Sequence, residues 1–252
     1  MKIYILFFVL GFTVATVKAQ SGFNYYEFGA GIGASYGKAE ADLKKQDYHP
    51  AFSFNFVYNF SPYFPITAEL QKGTFSGGGT TPAVDASGRY FTNSYFSFNI
   101  HGDVQAGEIM DFGDSWILDR IKGFYIGTGL GFIYNNMTSI ERYNRFPNSG
   151  SPVYPNPGSD EGFRGKNGGI NLIIPIRFGY EFKIYDDYDQ PRYGIDLGIQ
   201  HYFAPGEGID GYNDDSKKYK NNATDQYTFI TIGFKYNFGN TTSYTKLVNK
   251  FR

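Results

Sequence analysis

The side chains equipped for acid–base chemistry are few. His49, His101 and His201 are the only histidines, and each is a natural general base near neutral pH. An ester- or lipid-cleaving site would set one of them beside a nucleophile and an acid that orients it. Neither His49, at the end of a polar stretch, nor His201, at the end of an alternating one, brings such partners along the chain. No catalytic residue is therefore assigned. Asp210, Asn213, Asp214 and Asp215 offer the oxygen ligands that calcium prefers. Their spacing does not match the helix–loop–helix template, and Asp/Asn clusters are ordinary turn chemistry, so no metal site is assigned either. The adjoining Lys217-Lys218-Tyr219-Lys220 reads first as solvated loop charge, and otherwise as a neutralising partner for those acids or a set of point charges for phosphate groups.

The remaining charges fall into a pattern. Glu27, Glu69, His101, Asp103, Arg177, Glu181, Asp196 and Lys235 all lie on the polar phase of segments in which apolar and small or polar residues alternate. Period-two alternation marks strands with two unlike faces. Eight such segments follow one another. Tyr26 to Tyr36 sets aromatics and alanines against Glu27, Gly29, Gly31 and Gly33. Phe52 to Phe60 alternates phenylalanine with Ser53, Asn55, Val57 and Asn59. Further segments run over 66–73, 96–106, 124–134, 170–182, 193–200 and 230–238. Most reach about ten residues, the length a tilted strand needs to cross hydrocarbon. Pro175 interrupts the sixth, where a closed sheet has no edge to hide its missing donor; a bulge facing the interior is expected.

The connections alternate in length. Phe60 to Pro65, Glu108 to Gly123 and Tyr185 to Pro191 make up the shorter set, the middle one long for its class; Gly37 to Pro50, Ser76 to Thr92, Asn135 to Gly168 and Ala204 to Asp225 make up the longer, Gly-, Asn-, Asp-, Ser- and Pro-rich set. Short periplasmic turns and longer outer loops are the organisation of outer-membrane barrels. Trp116-Ile117-Leu118 with Ile121 predicts a short interfacial helix in the middle turn. Tyr26, Tyr36, Tyr58, Tyr180, Tyr193 and Tyr236 sit near segment ends, as aromatic girdles require.

Lys2, the apolar run Ile3 to Val14 and Val17-Lys18-Ala19 have the layout of a cleaved secretory signal over 1–19. Without Lys2 and Lys18 the 23 basic residues become 21 against 24 acidic, near −3, which gives no footprint for nucleic acid. The chain has no cysteine, excluding a disulfide scaffold and thiolate metal sites. Mean hydropathy is −0.38, as expected when only alternate residues meet lipid.

The opening Tyr26-Glu27-Phe28-Gly29-Ala30-Gly31-Ile32-Gly33 and the closing Thr231-Ile232-Gly233-Phe234-Lys235-Tyr236-Asn237-Phe238 resemble the small outer-membrane β-barrel superfamily of Gram-negative bacteria, of the OmpA/OmpX-like type. The resemblance implies an all-β, eight-stranded antiparallel up-and-down transmembrane barrel over 20–238, in contact with outer-membrane lipid and lipopolysaccharide. The closing aromatics are similar to the terminal signal by which such proteins are delivered for insertion. This chain departs from that ending by continuing as a periplasmic tail, 239–252.

Eight strands leave an interior that side chains fill. The eight luminal charges are therefore expected to form a paired polar plug, and no cofactor is expected. Function is then left to the loops and tail. Arg142, Tyr143, Arg145, Phe146, Tyr154 and Phe163, in the longest loop, are candidate anchors for a surface protein partner. The tail is the candidate for a periplasmic one. The leading expectation is a non-catalytic barrel serving surface recognition, envelope integrity or a larger complex such as type IX secretion machinery. A lipid-modifying enzyme and a narrow channel are the rivals.

Overall fold

A computed structural model describes residues 24–112, 115–146, 164–206, 208–213, 224–244 and 246. The 1–19 signal, Tyr154, Phe163 and the lysine cluster 217–220 lie outside the described residues. Eight long strands form the body: β1 (Asn24–Glu40), β3 (His49–Ser61), β4 (Phe64–Gly78), β5 (Tyr90–Gln105), β6 (Phe124–Ile140), β7 (Gly168–Tyr185), β8 (Pro191–Phe203) and β9 (Gln226–Ser243). A two-residue strand, β2 (Gln46–Asp47), adds to the end of β4. Every neighbouring pair is antiparallel. Pairing of β1 with β9 and of β4 with β5 closes the sheet on itself. The result is an up-and-down barrel.

Its outside is apolar. Ile32, Phe52, Phe98, Phe132, Phe178 and Ile230 are all exposed, from 40% to 68%. On β9 the outward residues from Ile230 to Phe238 span about 26 Å of strand at about 3.3 Å per residue, or about 20 Å of height at a tilt near 40°. That is close to the roughly 25 Å apolar band of a membrane barrel. A continuous apolar belt of this extent far exceeds the patches a soluble monomer exposes. The chain is an eight-stranded transmembrane β-barrel.

The inner face of β6 shows why glycine alternates there. At Gly127 a Cβ would sit against the carboxylate of Asp103, and at Gly129 it would meet the backbone of Ile100 and His101. The bare backbone lets the charged side chains of β5 lie flat across the interior.

Three expectations need correction. Pro175 does face the interior, but no bulge accompanies it. The β6–β7 register is the same on either side, Thr128↔Ile176 and Gly131↔Ile173, with the ladder simply open between. The Thr128 hydroxyl donates to the Pro175 carbonyl at 2.9 Å, so the interrupted stretch keeps one cross-strand bond. The last strand also runs past Phe238 to Ser243. Gly239, at φ +95°, takes a conformation that favours glycine. A register shift between Tyr26 and Phe28 on β1 accompanies it, and Thr241, Thr242 and Ser243 then pair with Tyr26, Tyr25 and Asn24. Finally, Tyr26 is buried rather than a girdle residue, because Arg192 stacks 4.3 Å from its ring centroid.

Two short helices occupy the β5–β6 turn, α1 (Ala106–Ile109) and α2 (Trp116–Ile121). The second is the helix expected from Trp116-Ile117-Leu118, started by Ser115, whose hydroxyl accepts from the Leu118 N–H.

Candidate functional site

The interior is layered. At mid-height lies the charged layer. Arg177 on β7 pairs with Asp103 on β5 and stands 3.8 Å from Asp196 on β8. His101 Nδ1 sits 2.9 Å from Arg177 Nη1 and 3.2 Å from Asp103 Oδ1. Gln200 completes the guanidinium's shell: with its amide oriented by its neighbours, its oxygen accepts from Arg177 Nε at 2.9 Å and Nη2 at 3.1 Å. Tyr202 and Asn99 both donate to Glu69 Oε1, at 3.0 Å each. Asp196 accepts from the Tyr125 hydroxyl at 3.1 Å.

A second cluster lies nearer the short-turn end. Glu181 is held between Lys183 at 3.2 Å and Lys235 at 2.9 Å. Lys183 also donates to Gln105 and stacks over Tyr63. Charge can persist in a narrow interior only when paired and hydrogen-bonded, and these groups are. Beside them a polar chamber of about 60 Å³ opens toward Gly31, Gly33 and Gly233, with room for a few water molecules at roughly 10–15 Å³ each.

Both ends of this layer are sealed by aromatics. Toward the long loops, Phe75 stacks on Tyr95 at 4.5 Å and lies 5.1 Å from Tyr227, and Tyr227 stacks on Tyr202 at 4.4 Å. Above them, residues 208–212 fold into the mouth. Ile209 and Tyr212 are fully buried there, and Asp225 Oδ2 accepts from the N–H groups of Gly208 and Ile209. Toward the short turns, Tyr63 packs edge-on against Phe112 and Tyr244, and Lys246 donates to the Met110 carbonyl at 2.7 Å. The start of the tail is thus part of the lower seal.

Of the charges read from the sequence, Glu69, His101, Asp103, Arg177, Glu181, Asp196 and Lys235 meet in this interior. Glu27 does not join them: the bulge in β1 sets it at the short-turn rim, where it accepts from Thr242 at 2.9 Å. Lys183 was missed, although it continues the phase of Arg177 and Glu181. Phe75, Tyr95, Tyr202 and Tyr227 were missed because the alternating segments were ended at 73 and 200 and begun at 96 and 230, just short of them. Each continues a polar phase, Phe75 following Thr67, Glu69, Gln71 and Gly73.

Among the described loop candidates, Arg142, Arg145 and Phe146 make contacts with the protein itself. Arg142 donates to Asn167 at 2.6 Å and to the Gly211 carbonyl at 2.9 Å, tying one long loop to another. Arg145 pairs with Glu141 at 2.8 Å and stacks over Tyr90. Phe146 covers Gly88, and Tyr143 remains exposed. Asp210 is buried in the same cap, accepting from the N–H groups of Tyr212 and Asp42. Burial, then the carboxylates of Asp225 and Asp42, push its pKa well above the ordinary value. A raised folded pKa contributes stability that is complete below the open-loop value, near 3.9, and is lost as pH rises through the folded one. The cap is therefore expected to protect the amides of 208–212 from hydrogen exchange better in mild acid than in alkali. Protection in Asp210→Asn should be less pH-dependent; an unchanged pH dependence in that variant would contradict this.

Two histidines lie at the long-loop rim. His49 Nε2 is 2.7 Å from Ser76 Oγ, and Ser76 also donates to Asp47 Oδ2 at 3.3 Å. In a nucleophile–base–acid relay the carboxylate orients the histidine; here it contacts the serine and is paired with Lys45 at 3.2 Å. His201 bonds Thr228 at 2.8 Å and Gln226 at 3.1 Å. Among the described residues no cluster of three or more His, Asp or Glu side chains is arranged to hold a metal ion.

No family model matches the chain, and no curated protein sequence does. Similar solved structures are small surface barrels. Neisserial surface protein A aligns at 9% identity and a TM-score of 0.47, over 84% of this chain and 97% of that one. Ail of Yersinia pestis, in complex with the heparin analogue sucrose octasulfate, aligns at 11% and 0.43, over 85% and 99%. The outer membrane protein OprG from Pseudomonas aeruginosa gives 10% and 0.39, over 86% and 99%. The barrel assignment rests on the closed ladder and the apolar belt.

Proposed function

We propose that the chain is an integral outer-membrane protein of a Gram-negative envelope, a sealed barrel that serves as a non-catalytic scaffold. One observation carries this reading: an apolar belt surrounds an interior blocked by two aromatic layers with a paired charged layer between them. In this orientation the long loops form the outer cap and the short turns, with both strand termini, face the periplasm. A sealed interior leaves action to the two ends. The outer cap suits surface recognition. The periplasmic end suits envelope integrity or the anchoring of a larger assembly, type IX secretion machinery being one such use. Outer-membrane phospholipid and lipopolysaccharide are the expected surroundings of the belt.

The test is conductance. Purified protein inserted in planar bilayers is expected to give a flat trace at moderate voltage. Reproducible single-channel steps from the wild-type protein would overturn the sealed-scaffold reading in favour of a narrow channel.

A further inference from the structure

The short-turn rim carries a feature that the seal does not use. Trp116 and Ile117 on α2 are 73% and 52% exposed, and Ile109 of α1 is 60% exposed. They continue the apolar belt below Phe124, Phe178 and Phe182, which are themselves exposed. The Tyr180 hydroxyl pins α2 to the barrel by donating to the Arg120 carbonyl at 2.6 Å. Between α2 and β7 lies an open cavity of about 270 Å³, lined by Arg120, Lys122, Tyr180, Phe182 and Tyr185 among others.

The charges there are unbalanced. The Arg120 guanidinium stacks 5.8 Å from the Trp116 ring centroid and makes no ion pair among the described residues. Lys122 pairs with Asp119 at 2.6 Å and lies over Phe112 and Tyr185. Lys183 and Glu181 back the cavity but are paired to each other, with Lys235 also on Glu181. Two cations thus face one carboxylate, beside tyrosine and tryptophan at the depth where amphipathic rings favour an interface.

We infer that this cradle binds the phosphate headgroup of an anionic phospholipid in the leaflet at the short-turn end, with the acyl chains lying along Phe124, Phe178 and Phe182. The inference rests on the bilayer placement proposed above. Cationic side chains near a membrane surface favour anionic headgroups, and apolar contact with the chains separates a lipid from a free phosphate.

The full chain in mild detergent would be titrated with phosphatidylglycerol, phosphatidylcholine or inorganic phosphate, and bound species counted by native mass spectrometry. Phosphatidylglycerol should be retained over phosphatidylcholine, and millimolar inorganic phosphate should not displace it. Arg120→Gln with Lys122→Gln should weaken its retention about tenfold or more; Arg120→Gln alone, which leaves the Lys122–Asp119 pair intact, should weaken it less. Equal retention of the two lipids, or retention unchanged in both variants, would overturn the inference. Competition by inorganic phosphate would assign a free-phosphate site instead. Flotation with vesicles separates the two levels: a wild-type protein that does not float contradicts the bilayer placement, whereas one that floats without selecting phosphatidylglycerol contradicts only the cradle.

Discussion

Arg177→Ala is expected to be among the most damaging single substitutions in this barrel, costing about 3–5 kcal/mol. Among the described residues the guanidinium is the one Lys or Arg cation bonded to Asp103, and it also meets His101, Gln200 and Asp196. Its removal leaves a buried carboxylate without its guanidinium partner, beside a chamber with room for only a few waters. The loss belongs to the orphaned acid more than to the missing bond. Replacing both partners with apolar residues of similar volume, Arg177→Met with Asp103→Leu, should therefore recover most of it. Urea unfolding of protein reconstituted in vesicles would measure this. A double variant as unstable as the single one would show that the pair's neighbours, not the pair, dominate the layer.

The second large effect is expected from the aromatic seal. Phe75 and Tyr227 are fully buried, and their ring centroids lie 5.1 Å apart. Truncating either to alanine should cost about 3–5 kcal/mol, since a buried ring leaves both lost contacts and a cavity. Because the rings touch, the double variant should lose less than the sum. It should also remain non-conducting, because the Arg177 layer and the Tyr63–Phe112–Tyr244 layer still block the path. Conductance after this change alone would mean that the lower two layers do not seal.

The barrel was legible because its physics is local. Outward residues such as Phe52, Phe54 and Phe56 repeat at the period of a strand, and the strict up-and-down order of the strands assigns alternate connections to opposite ends. Most of the charged layer followed from the same parity. What failed was the placing of segment ends, which stopped short of Phe75, Tyr95, Tyr202 and Tyr227. Phase was the better guide: Tyr95 stands in step with Ser97 and Asn99, and Tyr202 with Asp196 and Gln200. A local irregularity also defeated simple counting. The bulge before Phe28 moved Glu27 out of the polar layer, and Gly239 carried β9 beyond the aromatic ending that had looked final. The loops were least legible, because Arg142 and Arg145 bind partners remote in sequence, and no periodicity announces such pairs.

The central claim, a bilayer-spanning barrel with a packed interior, is open to one direct measurement. The chain has no cysteine, so single cysteines can be placed and spin-labelled along β3 and β9 without background. In vesicles, labels at Phe54, Phe56, Ile232 and Phe234 should collide readily with oxygen and poorly with a polar nickel reagent. Labels at the alternating positions Asn55, Val57, Thr231 and Gly233 should be poorly accessible to both. Period-two alternation of oxygen accessibility across the belt is the predicted result. Ready access of the nickel reagent to the labels at Phe54, Phe56, Ile232 and Phe234 would contradict a membrane-spanning barrel.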